Sequence, residues 1–514
     1  MKRRSDVRGP KPEVRSAKSE VRRARSEVRS ARSDVRFGVV AAAVLALVAV
    51  AAYPAIEARQ MPAAPVYAIQ GAKIVTAGST IDKGNLVMRN GLIDDVGPAA
   101  AVPADAVVVD GTGMTVYPGL IDMTNTSVAG VAAPAAPAAP PNVGDAPAPV
   151  LGRGGAGAAG SAQTWADGDR AKREALLNPD FDASSHVRYE GVEMQRLAAA
   201  GITSVLAVSP AGLFRGTSAL VNVTAPPDVE DVSRVGGYRR GAVVIASPVA
   251  QHVTFTGRTG GPGYPAALLG SIAFVRQAFY DARWQKDARV WADKHKDQAR
   301  PEFEPALDAL VPALDRKMPV SFEAGEFREI LRALAMAKEF NLDPIVTGGL
   351  EAEAAIADLK AANAKVILTL GAGSAQGGRG GGRGADTPIR MTRMQQNAPK
   401  AAAALEKAGI PYAFASEGLQ SPADFVRGVS RAIRDGGLTS DQALRALTVN
   451  AAKMAGASDR LGALAKGKIA NVIVVEGDLF SDQGRVRRVF VDGRPVNIDV
   501  PAVPAPGGRR GGAH

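Results

Sequence analysis

Pro319-Val320-Ser321-Phe322, Pro344-Ile345-Val346 and Lys365-Val366-Ile367-Leu368-Thr369-Leu370 are three short apolar runs, separated by helical patterns over Phe327 to Phe340 and Ala352 to Ala362. Runs this short, bounded by turn residues and joined through amphipathic helices, read as buried parallel strands of β/α units. The same reading extends upstream to Ile202-Thr203-Ser204-Val205-Leu206-Ala207-Val208 and Ala242-Val243-Val244-Ile245, and downstream to Tyr412-Ala413-Phe414-Ala415. It also predicts a helix over Pro422 to Arg434, with Ser421 as N-cap and Pro422 at the first helical position. β/α units in this number point to an α/β chain built around a barrel.

On either side of these units the pattern changes to short strands with Gly and Asn turns. Tyr67 to Val75, Gly84 to Met88, Gly91 to Gly97 and Ala106 to Gly111 precede the barrel, and Gly467 to Val475 and Val486 to Gly493 follow it. A small β-domain split around a barrel is the economical reading. The expected organisation is a β-sandwich part over 66–117, a barrel over 118–455 and a second sandwich part over 456–500. Low-complexity loops interrupt the barrel at 132–160 and 371–384, and residues 501–514 form a Pro/Gly tail that reads as disordered. The Gly/Arg run in the second loop has only two Arg between Gly377 and Gly384, too short a tract to predict nucleic-acid binding.

The 514 residues carry 62 Lys+Arg against 51 Asp+Glu, a formal +11, with 46% hydrophobic residues, which excludes a disordered or collagen-like chain. The excess charge is concentrated in residues 1–36, which hold thirteen Lys/Arg and five Asp/Glu and repeat an acidic-Val-Arg triplet every seven residues. Residues 37–56 then contain no charge and have the length of a bilayer-spanning helix. They read as a transmembrane anchor or signal, and the basic block before them keeps residues 1–36 cytoplasmic and sends the rest out. The expectation is a single-pass inner-membrane protein with its barrel on the periplasmic or extracytoplasmic side.

Chemistry is bounded by two counts. The chain has no Cys, which excludes disulfides, thiolate nucleophiles and Cys-ligated metals, and only four His, at 186, 252, 295 and 514. Val116-Tyr117-Pro118-Gly119-Leu120-Ile121-Asp122, Gly201-Ile202-Thr203-Ser204-Val205, Leu447-Thr448-Val449-Asn450-Ala451-Ala452 and Gly467-Lys468-Ile469-Ala470-Asn471 occur in that order. As an ordered set they resemble the amidohydrolase superfamily, nearest its imidazolonepropionase-like branch. The resemblance implies a distorted (β/α)8 barrel with a small composite β-sandwich, and hydrolysis of amide-type bonds by a metal-activated water.

In that family the Pro-Gly-Leu-Ile-Asp strand continues with His-x-His, and here Thr124 and Thr126 stand at those places. The resemblance aligns Glu323 with the strand-five His, Thr347 with the strand-six His and Glu417 with the strand-eight Asp. None of the four places Thr124, Thr126, Glu323 and Thr347 has the family's His, and Thr hydroxyls are poor zinc ligands, so these read as degenerate ligand positions, with no metal expected. Asp122 belongs to the fold motif and reads as structural. Glu323 and Glu417 are the candidate catalytic pair, each expected at a strand's C-terminal end. There they can act as an acid/base pair or, more simply, Glu323 pairs with an Arg and Glu417 caps a turn. His252 and Arg258 are pocket candidates, Arg258 from the Gly-rich loop Phe255 to Gly263. The aromatic-rich helix from Leu269 to Lys296 reads as packing around the barrel.

The leading functional expectation is a membrane-anchored, exported amidohydrolase-like protein without the usual metal. It would serve as a non-catalytic binding or partner subunit for a small-molecule or peptide ligand, or beside an active amidohydrolase relative. The alternatives are a carbon-nitrogen hydrolase using Glu323 and Glu417, and an envelope scaffold acting through its basic tail. No cofactor is expected, and a divalent metal only under the hydrolase alternative.

Overall fold

The structure is a computed structural model, and it describes residues 65–76, 78–129, 172–187, 191–224, 244–256, 264–371 and 389–500. The basic tail 1–36, the apolar stretch 37–56, the loop 132–160, residues 372–384 of the Gly/Arg loop, Arg258 and the tail 501–514 lie outside the described residues. Among the described residues no helix is long and apolar enough to cross a membrane.

Five strands open the described chain: β1 (Val66–Thr76), β2 (Ser79–Arg89), β3 (Leu92–Gly97), β4 (Ala106–Asp110) and β5 (Met114–Pro118). They join three from the far end, β16 (Val472–Glu476), β17 (Arg485–Val491) and β18 (Arg494–Val496). The eight form one sheet in the order β18-β17-β16-β5-β1-β2-β3, with β4 also paired to β1. The ladder between β5 and β16, Val116 opposite Val474, is the join between the two halves. Ile74, Leu86, Met88, Ile93, Val116, Val474 and Phe490 from six of these strands share one apolar core. Alternating apolar side chains on a sheet need such a shared face to bury.

The chain leaves that sheet for the barrel across one residue. Gly119 lies between β5 and β6 (Leu120–Asn125), and its N–H donates to the Asn471 carbonyl at 2.9 Å. A Cβ at 119 would stand 2.1 Å from Thr203 Oγ1, inside any permitted contact.

The barrel strands are β6, β7 (Ile202–Ala207), β8 (Phe214–Thr217), β9 (Ala219–Asn222), β11 (Gln251–Thr254), β12 (Val320–Ala324), β13 (Pro344–Gly348), β14 (Lys365–Thr369) and β15 (Tyr412–Ala415). They lie in two sheets, β10-β9-β7-β6, where β10 is Val244–Ala246, and β15-β14-β13-β12-β11-β8. β8 and β9 are consecutive pieces of one antiparallel stave that bends at Ser218 and passes from β11 to β7. At the bend Ser218 N–H donates to the Ala250 carbonyl at 3.0 Å and the Val249 N–H to Ser218 at 2.9 Å. Seven parallel staves and this antiparallel one make eight among the described residues, a mixed α/β fold of TIM-like form.

This corrects one expectation. Ala242 to Ile245 does not supply a parallel stave: Val244 to Ala246 pairs antiparallel at the edge of β9. The stave at 214–222 and β11 were not anticipated, because Arg215, Gly216, Ser218, Gln251 and His252 interrupt the apolar signal of strands only four residues long.

Helices cover the outside: α1 (Gly191–Ala199), α2 (Leu268–Lys294), α3 (Phe327–Phe340), α4 (Ile356–Ala361), α5 (Ile389–Ala408), α6 (Asp424–Arg434), α7 (Ser440–Leu447) and α8 (Val449–Met454). α3 has the expected bounds and buries Ile330, Ala333, Leu334, Ala337 and Phe340 on one stripe. Glu326 and Glu329 form a reciprocal capping box at its start, and Asn341 closes it in the left-handed conformation. α6 starts two residues later than expected. Ser421 Oγ instead accepts the Ala423 N–H at 3.3 Å in a preceding turn.

A polar network joins the composite sheet to the barrel. Asn471 Nδ2 donates to Asn222 Oδ1 at 2.8 Å and to Ser204 Oγ at 3.0 Å, while Asn471 Oδ1 accepts the Asp492 N–H at 3.0 Å. Burial raises the Asp492 carboxyl to about 6, against the opposing pull of Arg494 and Arg460. With a folded value above its unfolded one, its favourable contribution is complete below about 4 and is lost as pH rises through about 6. Asp492→Asn removes that loss, so the variant should gain on the order of 2–3 kcal/mol over the parent at pH 8 and nothing at pH 3.5. Urea melts at the two pH values measure the difference, and equal gains at both would contradict the assignment.

Candidate functional site

In-register neighbours on a parallel sheet share a face, and so do residues two apart on one strand. His252 pairs with Ser321, and Glu323 pairs with Thr254 on one side and Thr347 on the other. One face therefore presents His252, Ser321, Glu323 and Thr347, with Glu323 and Thr347 at the C-terminal ends of β12 and β13, where barrel sites lie. Glu417 follows β15 by two residues and Thr126 follows β6 by one.

Five of the expected residues meet specific partners. Glu323 Oε2 lies 2.9 Å from Arg215 Nη2, an ion pair in which the Arg side chain is 18% exposed and the Glu 37%. Thr347 Oγ1 is 2.7 Å from Ser321 Oγ, both buried. Thr126 Oγ1 donates to Glu417 Oε2 at 3.4 Å, and the buried Thr124 hydroxyl donates to the carbonyl of Met123. The Glu417 carboxyl is raised from its ordinary value, first by burial and then by the charge of Glu323, with Arg215 pulling the other way. Glu417, Glu323 and Arg215 thus form one electrostatic cluster, linked to Thr126 by hydrogen bonding. Arg215 was missed in the sequence. Its signal is a single cation inside the otherwise buried run Leu213-Phe214-Arg215-Gly216.

His252 is buried on the same face, and its Nε2 has no hydrogen-bond partner among the described residues. Burial first, then the Arg215 charge, lowers its imidazole to about 3, so it is neutral at physiological pH. His186 and His295 are elsewhere and exposed; each bonds through Nδ1 to a backbone carbonyl, of Asp182 and Trp291 respectively.

Asp122 accepts four hydrogen bonds. Ser416 N–H and Oγ–H donate at 2.8 and 2.5 Å, Asn125 Nδ2 at 3.2 Å and Thr124 N–H at 3.4 Å. It is fully buried, and that burial raises its carboxyl despite these donors. Because Ser416 directly follows β15, the carboxylate ties the last stave to the first.

The family metal does not suit this donor set. Guanidinium stands against Glu323, the hydroxyls of Thr124 and Thr347 are engaged within the protein, and no three His, Cys, Asp or Glu among the described residues are grouped to hold an ion.

Residues 299–496 match the family model described as Amidohydrolase family. No curated protein matches the sequence. Among solved structures, an amidohydrolase from Thermotoga maritima MSB8 superposes with a TM-score of 0.62 at 21% identity, covering 84% of this chain and 99% of that one. A putative prolidase from Bifidobacterium longum gives a TM-score of 0.48 at 17% identity, with 85% and 95% covered. The chain is thus similar to the amidohydrolase family in sequence over 299–496, and in fold to an amidohydrolase of known structure.

Proposed function

We propose that this is an amidohydrolase-like protein of the imidazolonepropionase-like branch whose barrel mouth works without the family metal, as a non-catalytic binding or partner subunit. The observation that carries this reading is the Arg215–Glu323 ion pair: a fixed cation faces the carboxylate at a place where the resemblance puts a metal ligand. The Thr residues at 124, 126 and 347 support it, since none offers the imidazole or carboxylate that zinc selects. In this reading residues 37–56 anchor the protein in the inner membrane with the barrel outside, and the mouth receives a small molecule or peptide, or the chain accompanies an active relative. Elemental mass spectrometry of protein purified without chelator should find far less than one zinc, manganese or iron per chain. Stoichiometric transition metal in the parent protein would refute it.

A second reading is favoured by one observation, the raised Glu417 carboxyl beside Glu323. A carboxyl poised nearer neutrality can take a proton from water attacking an amide carbonyl and return it to the departing nitrogen, with Arg215 facing the developing oxyanion. Any turnover in an amide or dipeptide screen should then fall at least about 100-fold in Glu417→Gln. Turnover unchanged in that variant would exclude Glu417 as the base.

A further inference from the structure

Among the described residues, eight of the twelve large hydrophobic side chains left exposed lie between 264 and 303, on α2 or beside it. That concentration is unlike the scattered single residues of an ordinary surface. α2 buries Phe274, Val275, Ala278, Phe279 and Ala282 against the barrel. The helix packs on the barrel through Phe274 and Phe279, while three other aromatics face out: Tyr280 is 44% exposed, Trp284 64% and Trp291 47%.

The exposed face has a period. Ala273, Gln277, Tyr280, Trp284, Asp287, Trp291 and Lys294 are all exposed and follow one another at spacings of four and three. This is a heptad seam, and what fits a seam is another helix. Tyr280 is held in place for such a role. Its hydroxyl donates to Glu339 at 3.0 Å, and Arg283 lies over its ring at 5.5 Å. Trp291 is braced by His295, stacked at 4.2 Å.

We propose that α2 is a self-association surface, paired antiparallel with α2 of a second copy about a two-fold axis midway between Trp284 and Asp287. In that register each Trp284 meets Asp287 of the other copy, so an indole N–H finds a carboxylate. Each Tyr280 meets Trp291, each Gln277 meets Lys294, and Arg283 comes within a turn of the opposing Asp287. Charge selects this direction: a parallel pair would set Asp287 on Asp287 and Lys294 on Lys294. Six half-exposed rings leave about 600 Å² to bury, roughly half of what a stable interface requires, with the polar seam and its flanks supplying the rest. The dimer is therefore a micromolar one rather than obligate.

Full-length protein in detergent should change from one to two copies per particle across the micromolar range in sedimentation velocity. Tryptophan emission should move to shorter wavelength as it does, because Trp284 and Trp291 are two of the three tryptophans. Trp165→Phe should preserve the shift. Trp284→Arg, on an exposed position, should keep the parent circular dichroism and weaken association about 100-fold. A single copy up to roughly a hundred micromolar would overturn the proposal. So would a dimer unchanged by Trp284→Arg and Trp291→Ser, or an emission shift that appears only with anionic lipid vesicles or a different protein.

Discussion

Asp122→Ala should destabilise the barrel by about 3–5 kcal/mol, since several buried neutral donors are left unpaired at about 1–3 kcal/mol each. Among the described residues the carboxylate is the only side chain that accepts from Ser416, Asn125 and Thr124 together, and its loss leaves those donors without this acceptor. Since Ser416 adjoins β15 and Asp122 lies in β6, the damage falls on the closure between first and last staves. Ser416→Ala is the control. It deletes the hydroxyl but keeps the 2.8 Å backbone bond, and should cost about 1 kcal/mol. Denaturant melts of the two variants measure the difference, and equal costs would mean that the clasp is not carried by the carboxylate.

Gly119→Ala should be comparably severe, and for a steric reason. The added methyl would lie 2.1 Å from Thr203 Oγ1, 2.5 Å from its Cγ2 and 2.7 Å from its Cβ. Thr203 has no exposed surface, and Gly119 is tied to Asn471 by a backbone bond, so neither side can yield cheaply. Overpacking of this kind costs typically about 1–3 kcal/mol, and the 2.1 Å approach puts this site at the upper end or beyond. Thr203→Gly in the same chain removes all three colliding atoms and should recover most of the loss. A double variant no more stable than Gly119→Ala would show that backbone conformation at 119, rather than the collision, is responsible.

These two residues explain why the Pro118-to-Asp122 motif was readable. Gly119 makes the one-residue crossing from sheet to barrel and Asp122 closes the barrel, so both are demanded by local geometry. Asn471 at the end of Gly467-Lys468-Ile469-Ala470-Asn471 is similar, because its amide holds Asn222 and Ser204 across the sheet-barrel boundary. The helix over 327–340 and the strands at 320, 344, 365 and 412 were legible because apolar periodicity decides them directly.

The site was legible only in part. Residue types at 124, 126, 323, 347 and 417 are facts of the sequence, and the Thr at 124, 126 and 347 already argue against a zinc-type donor set. Which groups Glu323 and Glu417 face depends on strands that the sequence hides. Arg215 is 108 residues from Glu323, on a four-residue antiparallel strand that periodicity cannot distinguish from a turn. The exposure of Trp284 and Trp291 is likewise a property of which face α2 turns to the barrel. Sequence by itself determined the α/β class, the composite sheet and the residue types at the positions that the resemblance aligns with metal ligands, because these follow from local pattern and residue type. Only the tertiary structure decided the cation opposite Glu323, the environment that raises Glu417 and the bared seam of α2, because each depends on through-space neighbours contributed by distant segments.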